Sequence, residues 1–125
     1  MGIFLDIHVH TKRYSPCSQI DPARLIGQAV AAGVDGLVIT EHHQQWPQDE
    51  LDALVKASGH PYFLLLSGFE YTSSKGDLLI YGAPAAAAPS FKRGWEPAEA
   101  IHMAHEFGAV CVAAHPTRAG MGFDE

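Results

Sequence analysis

Five short apolar runs, each about as long as a β-strand, place the tightest limits on what this chain can fold into. They are rich in Val, Ile, Leu and Phe, and they cover residues 3–9, 36–40, 62–69, 78–82 and 109–114. Several are nearly continuous rather than alternating with polar residues, a pattern typical of strands covered on both faces of a parallel sheet. The runs therefore predict an α/β protein with a buried sheet of parallel strands.

Helical segments with recognisable ends lie between these runs. The first begins at Asp21 and Pro22, which suit the N-cap and the first helical position, and it ends at Gly33. The other two helical segments cover residues 47–59 and 97–108. Strand and helix thus alternate three times, which predicts βαβ units.

The bulk composition is that of an ordinary globular protein. The chain has 125 residues, of which 47% are hydrophobic and 18% charged, so we expect a single domain over residues 1–125 with one core. The stretch 83–94 shows no apolar periodicity and is predicted to be a loop. Cys17 and Cys111 do not form a Cys-x-x-Cys pair, so no disulfide framework is implied.

Net charge and hydropathy argue against duplex nucleic acid and against a membrane as partners. A formal net charge of −6 argues against the broad basic surface that stable binding of duplex nucleic acid needs. The start of the chain lacks a basic leader, and no stretch approaches the ~18 apolar residues of a membrane span. We therefore expect a cytoplasmic protein that does not enter a membrane.

Side chains that can bind metal follow four of the predicted strands. His8 and His10 close the first run, His42 follows the second, Glu70 closes the third, and His115 follows the last. The carboxyl ends of parallel strands meet on one side of a sheet, so these groups should converge there. A single histidine at a strand end is more often a satisfied polar residue than a ligand, but four coincident strand ends favour a metal site.

The donor types indicate which ions and which chemistry suit such a site. His8 and His10 are two residues apart, so on a strand both side chains leave the same face and can hold one ion. Imidazole nitrogens together with carboxylate oxygens suit Zn, Fe or Mn, and Glu70 can bridge two ions through its two oxygens. Two bridged ions are well suited to hydrolysis of phosphate esters.

Four short motifs resemble those of a known family. They are DIHVHT at 6–11, TEH at 40–42, GFE at 68–70 and AHP at 114–116. In order and spacing they are similar to the first four motifs of the PHP (polymerase and histidinol phosphatase) family. The resemblance extends from residue 3 to about residue 118.

The resemblance implies a distorted (β/α)7 TIM-like barrel that holds up to three divalent ions and hydrolyses phosphoesters. By position, His8, His10 and Glu70 would hold the first ion, Glu70 and His115 the second, and His42 the third. The implied substrate is a small phosphorylated molecule, a nucleotide or the end of an oligonucleotide.

Three departures from the family pattern limit this carry-over. Asp77 stands where members often have a histidine, and its carboxylate can also be a ligand. Cys17 lies in a loop where some members carry another histidine, and we interpret it as a loop thiol. The family's late Asp-x-His is absent, so we expect the chain to be a truncated domain with the first half of the barrel, whose open strand edges favour self-association.

Several further residues are weaker candidates. Arg118, three residues after His115, can hold a phosphate by paired hydrogen bonds and is assigned to catalysis with the metal ligands. Lys12 and Arg13 are less favoured for that role, and His43 is assigned either to a position behind the ligands or to the substrate pocket. Residues interpreted as orienting or lining groups are Asp6 and Tyr71, and those interpreted as surface or structural residues are His60, Lys92, Arg93, His102 and His105.

The sequence therefore predicts a phosphoesterase in which clustered ions activate a water molecule. Two alternatives remain open. One is a PHP-like module that has lost catalysis and serves as a structural or interaction unit. The other is a metal hydrolase of the amidohydrolase type, whose usual lysine ligand has no counterpart at these strand ends.

Overall fold

The fold is a curled sheet with helices against one of its faces. The computed structural model describes residues 2–120 and 122–123. Within these residues the strands are β1 (Leu5–Val9), β2 (Gly36–His42), β3 (Leu64–Thr72), β4 (Asp77–Tyr81) and β5 (Val110–Ala113), and they form one sheet in that order. The helices are α1 (Pro22–Ala31), α2 (Gln48–Ser58) and α3 (Pro97–Glu106), with a short 3-10 helix at Ala88–Ser90.

The helices end where the local sequence signals place their ends. Asp21 caps α1 by accepting a hydrogen bond from the Ala23 amide at 3.1 Å, directly before Pro22. Gly33 and Gly59 follow α1 and α2 with φ angles of 79° and 75°, which favour glycine. No helix within the described residues has the length and apolar character that a membrane crossing needs.

The prediction that all strands are parallel is wrong for β4. β1, β2 and β3 pair in parallel, whereas β4 pairs antiparallel with both β3 and β5. Only residues 73–76 join β3 to β4, and a parallel crossover needs about a dozen residues or more. The amide of Ser73 closes this turn by donating to the Gly76 carbonyl at 3.0 Å. The start of β4 therefore lies at the same edge as the end of β3.

Part of the segment 83–94 packs against the sheet: four of its residues, at positions 83, 87, 88 and 91, are buried, and the others are exposed. Ala87 and Ala88 are 2% and 4% exposed, and Phe91 is buried beside them against Phe69 of β3. Small alanine side chains allow this irregular segment to approach the sheet closely, which hydrophobic periodicity does not reveal. The segment thus completes the core between β3, β4 and α3.

The sheet is curled strongly enough to form half of a barrel. The hydroxyl of Tyr81 on β4 crosses the concave face and donates to the Ile7 carbonyl of β1 at 2.6 Å. Leu64 and Leu66 share that face, since side chains alternate along β3, and both remain exposed. Helices pack on the opposite face, where the buried residues form two apolar clusters.

We expect Gly68→Ala to destabilise the protein, because there is no room for a side chain where β3 passes β4. A Cβ atom at Gly68 would lie 2.5 Å from the Ile80 carbonyl oxygen. The expected loss is about 1–3 kcal/mol in the free energy of unfolding, measured by urea denaturation followed by circular dichroism. Gly27→Ala is the control, since a Cβ there meets nothing within 4 Å on helix α1 and should add up to about 1 kcal/mol. Equal stability of both variants would contradict the packing described here.

Candidate metal centre

Six predicted ligands lie together at the end of the sheet where β1, β2, β3 and β5 terminate. His8 belongs to β1 and His10 follows it, His42 ends β2, and Glu70 lies near the end of β3. β5 carries the chain to His115 at the same edge. Asp77 joins them from the first position of β4, because that strand runs in the opposite direction.

Glu70 is the carboxylate on which the histidine rings converge. Its Oε2 lies 2.8 Å from Nε2 of His10 and 3.0 Å from Nε2 of His8. Its Oε1 lies 3.0 Å from Nε2 of His115, while Nδ1 of His42 is 3.8 Å from Oε2. Glu70 is 1% exposed, so solvent does not compensate its charge.

These contacts fix the ionisation of the site. Burial would raise the pKa of Glu70, but hydrogen bonds with His10 and His8 and the positive charges of His8 and His42 lower it to about 2. The hydrogen bond to Glu70 raises the pKa of His10 against the opposing effect of burial. Burial lowers the pKa of His42. Near neutral pH, Glu70 is therefore an anion and His42 a neutral ring, which are the forms that bind metal.

The donor atoms form two groups, and the atoms of each group lie close enough together to bind one ion. In each group, one ligand atom from every residue lies within 4.8 Å of the others. One group is His8, His10 and Glu70, and the other is Glu70, Asp77 and His115. Asp77 is 1% exposed, and among the described residues neither of its carboxylate oxygens has a hydrogen-bond partner, while Nε2 of His115 lies 3.6 Å from Oδ2. A buried carboxylate without donors is strongly disfavoured unless a cation accompanies it. The residues present therefore fit divalent ions, with Glu70 common to both groups.

A cavity of about 440 Å³ opens over these groups. Besides the six predicted ligands, Cys17 and Arg118 line it. The His42 ring stacks on the His10 ring with centroids 4.5 Å apart, but His42 belongs to neither three-residue group among the described residues. Arg118 thus stands beside the ligands, as its distance of three residues from His115 suggested.

Glu41 is a structural residue behind the site whose role the sequence did not reveal. Its carboxylate is fully buried and accepts hydrogen bonds from the hydroxyls of Thr11 and Ser15, from the Thr11 amide at 3.1 Å and from Nε1 of Trp46 at 3.1 Å. The Ser15 hydroxyl oxygen in turn accepts from the His42 amide at 3.1 Å. Glu41 therefore ties the loop after His10 to the end of β2. Glu41 belongs to the TEH motif, but the residues that donate hydrogen bonds to it are visible only in the fold.

His43 and Tyr71 are structural rather than part of the cavity. Nε2 of His43 accepts a hydrogen bond from the Thr72 amide at 3.3 Å, and its ring packs edge-on against Tyr71. Burial, followed by the charge of Arg93, lowers the pKa of His43 to about 4, which keeps the ring neutral. Tyr71 is buried in the core and its hydroxyl donates to the Lys92 carbonyl at 2.6 Å. The interpretation of Tyr71 as a pocket residue is therefore wrong.

The remaining polar candidates have local partners. Asp6 accepts a hydrogen bond from the His8 amide at 3.1 Å, so it holds the backbone of that ligand rather than its ring. Lys12 pairs with Asp21 at 3.2 Å, and the Arg13 side chain donates to Glu50 at 3.1 Å. His102 and His105 are exposed on α3, and His60 follows α2, as the sequence indicated.

Comparison with known proteins supports the fold. The sequence matches no family model and no curated protein. Its structure is similar to the crystal structure of a "putative metal-dependent phosphoesterase" from Bifidobacterium adolescentis, with a TM-score of 0.69 and 16% sequence identity. The similarity covers 93% of this chain and 68% of the bifidobacterial chain. At this level of identity the two proteins share a fold.

We expect Glu41→Ala to be strongly destabilising even without metal. The change leaves the buried Thr11, Ser15 and Trp46 donors without their acceptor, which should lower the free energy of unfolding by about 3 kcal/mol or more in chelator. Urea denaturation measures this difference. Glu50→Ala is the matched control, since that carboxylate is 32% exposed and its loss should change the stability by about 1 kcal/mol at most. Equal effects of both variants would show that Glu41 is no more important than a surface residue.

The low pKa of Glu70 predicts acid sensitivity of the metal-free protein. The pKa is about 2 in the folded state against an ordinary 4.5, so the unfolded chain takes up the proton first as the pH falls. The stabilisation by Glu70 is present above pH 4.5 and is lost towards pH 2, on the order of 3 kcal/mol in total. Urea denaturation of the wild type and of Glu70→Gln in chelator should therefore converge over this range. A constant difference would contradict the shift.

Proposed function

We propose that this chain carries the metal centre of a metal-dependent phosphoesterase of the PHP type. The observation that carries the proposal is the buried Glu70 carboxylate, with Nε2 atoms of three histidines within 3.0 Å of its oxygens. The buried Asp77 beside it supports the same conclusion, since among the described residues its carboxylate has no hydrogen-bond partner and lies 3.6 Å from Nε2 of His115. The curled half-barrel supports a fold of the distorted (β/α)7 type with β4 reversed.

Each ligand has a position that suits one ion of a cluster. His8, His10 and Glu70 suit the first ion, and Glu70, Asp77 and His115 the second. His42 points to a third ion, because it faces the same cavity outside both groups. Imidazole and carboxylate donors suit Zn, Mn or Fe.

The residues around the cavity have separate roles in the proposed hydrolysis of a phosphoester. When bound, the ions would supply a water molecule of lowered pKa and positive charge opposite the phosphate. Arg118 binds the phosphate oxygens with its parallel N–H donors and holds the phosphorus atom over the ligands. Glu70 fixes the spacing of the two groups by belonging to both, and the chemistry requires no protein nucleophile.

The size of the cavity favours a small substrate. A volume of about 440 Å³ lies within the range of small-molecule sites, part of which the ions would fill. We therefore propose a small phosphomonoester, a nucleotide or the end of an oligonucleotide as the substrate. The bifidobacterial protein is named a "putative metal-dependent phosphoesterase", which agrees with this class of reaction.

The amidohydrolase alternative is less well supported. That class uses a lysine or carboxylated lysine as a ligand, and among the described residues the cavity is lined by histidines, carboxylates, Cys17 and Arg118. A module that binds metal without turnover is the remaining alternative, and activity measurements separate it from an enzyme.

We expect purified protein to contain Zn, Mn or Fe and to hydrolyse an aryl phosphate in a reaction that chelation stops. His10→Ala should lose metal and at least about 100-fold in kcat/KM. Arg118→Ala should keep its metal but lose about 10- to 100-fold in kcat/KM, since one charged hydrogen-bonding group is removed. Elemental analysis and initial rates measure these effects, with His102→Ala on the exposed face of α3 as the control.

Two results would overturn parts of this proposal. Protein without more than trace metal, after growth and refolding with each of the three metals, contradicts the metal centre. Protein that holds metal but hydrolyses neither mono- nor diesters contradicts the enzyme and supports the non-catalytic module.

A further inference from the structure

Tyr81 reaches from the end of β4 across the concave face of the sheet to β1. Its hydroxyl donates to the Ile7 carbonyl at 2.6 Å, a contact between residues 74 positions apart in the chain. β2 and β3 lie between these two strands in the sheet, so the bond crosses the inside of the half-barrel. Because Ile7 directly precedes His8, the bond reaches the segment that carries a predicted metal ligand.

Gly68 leaves the space that the Tyr81 ring occupies. A Cβ atom at Gly68, on the neighbouring strand β3, would lie 3.0 Å from Cδ1 of Tyr81. Burial, followed by the charges of Glu70 and Asp6, raises the pKa of Tyr81 to about 12, so the hydroxyl keeps its proton and remains a donor. The fold thus provides both the path of this side chain and the proton for its hydrogen bond.

The peptide group between Ile7 and His8 is held by side chains at both of its polar atoms. Its carbonyl oxygen accepts from the Tyr81 hydroxyl. Its N–H, which is the amide of His8, donates to Oδ1 of Asp6 at 3.1 Å. Two side chains from different strands positions therefore fix the orientation of one peptide.

β1 pairs irregularly with β2 at this peptide. The paired residues are Asp6 with Leu37 and then Val9 with Ile39, so three steps along β1 match two along β2. Irregularities of this kind disrupt the ladder locally and change the direction in which a side chain points. The orientation of His8 therefore depends on the contacts of its own peptide and not on regular strand pairing alone.

The orientation of His8 decides whether the first ligand group forms. Nε2 of His8 lies 3.0 Å from Oε2 of Glu70, and its ring lies edge-on to the His10 ring with centroids 5.0 Å apart. A rotation of the peptide before His8 would move its ring away from both partners. Groups that orient a metal ligand without touching the metal typically change its affinity by about 10- to 100-fold.

We propose that Tyr81 is a positioning residue of the metal centre, whose hydroxyl acts with Asp6 on the Ile7–His8 peptide and directs the His8 ring to the first ion. The inference rests on the metal centre of the proposed function and adds to it a residue that binds neither metal nor substrate. Tyr81 acts through the backbone of the ligand, whereas most orienting groups act on its ring.

Removal of the Tyr81 hydroxyl alone tests the proposal. Tyr81→Phe should weaken Zn²⁺ binding at the first ligand group by about 10- to 100-fold, measured by competition with a chromophoric chelator. Tyr71→Phe is the matched control, since the Tyr71 hydroxyl also donates to a backbone carbonyl at 2.6 Å, that of Lys92, but within the core. Both variants should lose similar stability towards urea in chelator, whereas Tyr71→Phe should keep its Zn²⁺ affinity.

Variants of Asp6 test whether the peptide is the shared point of action. Asp6→Asn keeps an oxygen that can accept the His8 amide and should retain the Zn²⁺ affinity within about threefold, whereas Asp6→Ala should weaken it about tenfold. Because both side chains act on one peptide, Tyr81→Phe combined with Asp6→Ala should lose less affinity than the product of the two single effects.

Nuclear magnetic resonance provides a measurement that needs no metal. In the wild type and in Tyr71→Phe, ring protons of His8 and His10 should show Overhauser contacts in chelator, as the distance between the ring centroids requires. These contacts should be lost in Tyr81→Phe, because the His8 peptide is released from one of its two partners.

The outcomes separate this inference from the function on which it rests. Unchanged Zn²⁺ affinity in Tyr81→Phe, equal losses of affinity in Tyr81→Phe and Tyr71→Phe, full multiplication of the effects in the double variant, or retained contacts between the two rings overturns the positioning role and leaves the metal centre intact. A wild type that binds no metal overturns the proposed function and this inference with it. Loss of affinity and of ring contacts in Tyr81→Phe, with Asp6→Asn close to the wild type, supports the positioning role.

Discussion

The burial of the Glu70 carboxylate is the constraint on which the rest of this structure depends. A charged group at 1% exposure must be compensated from within the protein, and here the compensation comes from three histidines on two other chain segments. Glu70 and its partners hold together the ends of β1, β3 and β5. The contacts that compensate Glu70 therefore also bring the ends of these three strands together at the site.

Two glutamates on adjacent strands meet the same requirement in different ways. Glu41 is surrounded by hydroxyl, amide and indole donors, which satisfy its oxygens and leave it no capacity for an ion. Glu70 faces imidazoles that can exchange protons for metal, and Asp77 beside it accepts no hydrogen bond from the described residues. Environment rather than residue type thus separates the structural carboxylate from the ligand carboxylates.

The sequence predicted those features that depend on local order. The apolar runs predicted the positions of the strands, and the polar residues that follow those runs predicted the convergence of the ligands. Asp21 and Gly33 predicted the two ends of α1. The direction of β4 depends on the short turn before Asp77, which hydrophobic patterns do not encode. The role of Glu41 depends on contacts between segments more than twenty residues apart, and such contacts have no signature in a single sequence.

The β3–β4 hairpin imposes an order of events on the assembly of the site. Glu70 and Asp77 are brought together by a turn of a few residues, and a hairpin of this kind closes within about 1–10 μs. The contact between His8 and Glu70 spans 62 residues, and we expect it to form later because its loop closure costs more entropy. During this interval two carboxylates approach each other before any imidazole arrives, and they repel. We therefore expect a divalent cation that binds both carboxylates to change the rate at which this chain folds, as well as the stability of the folded state.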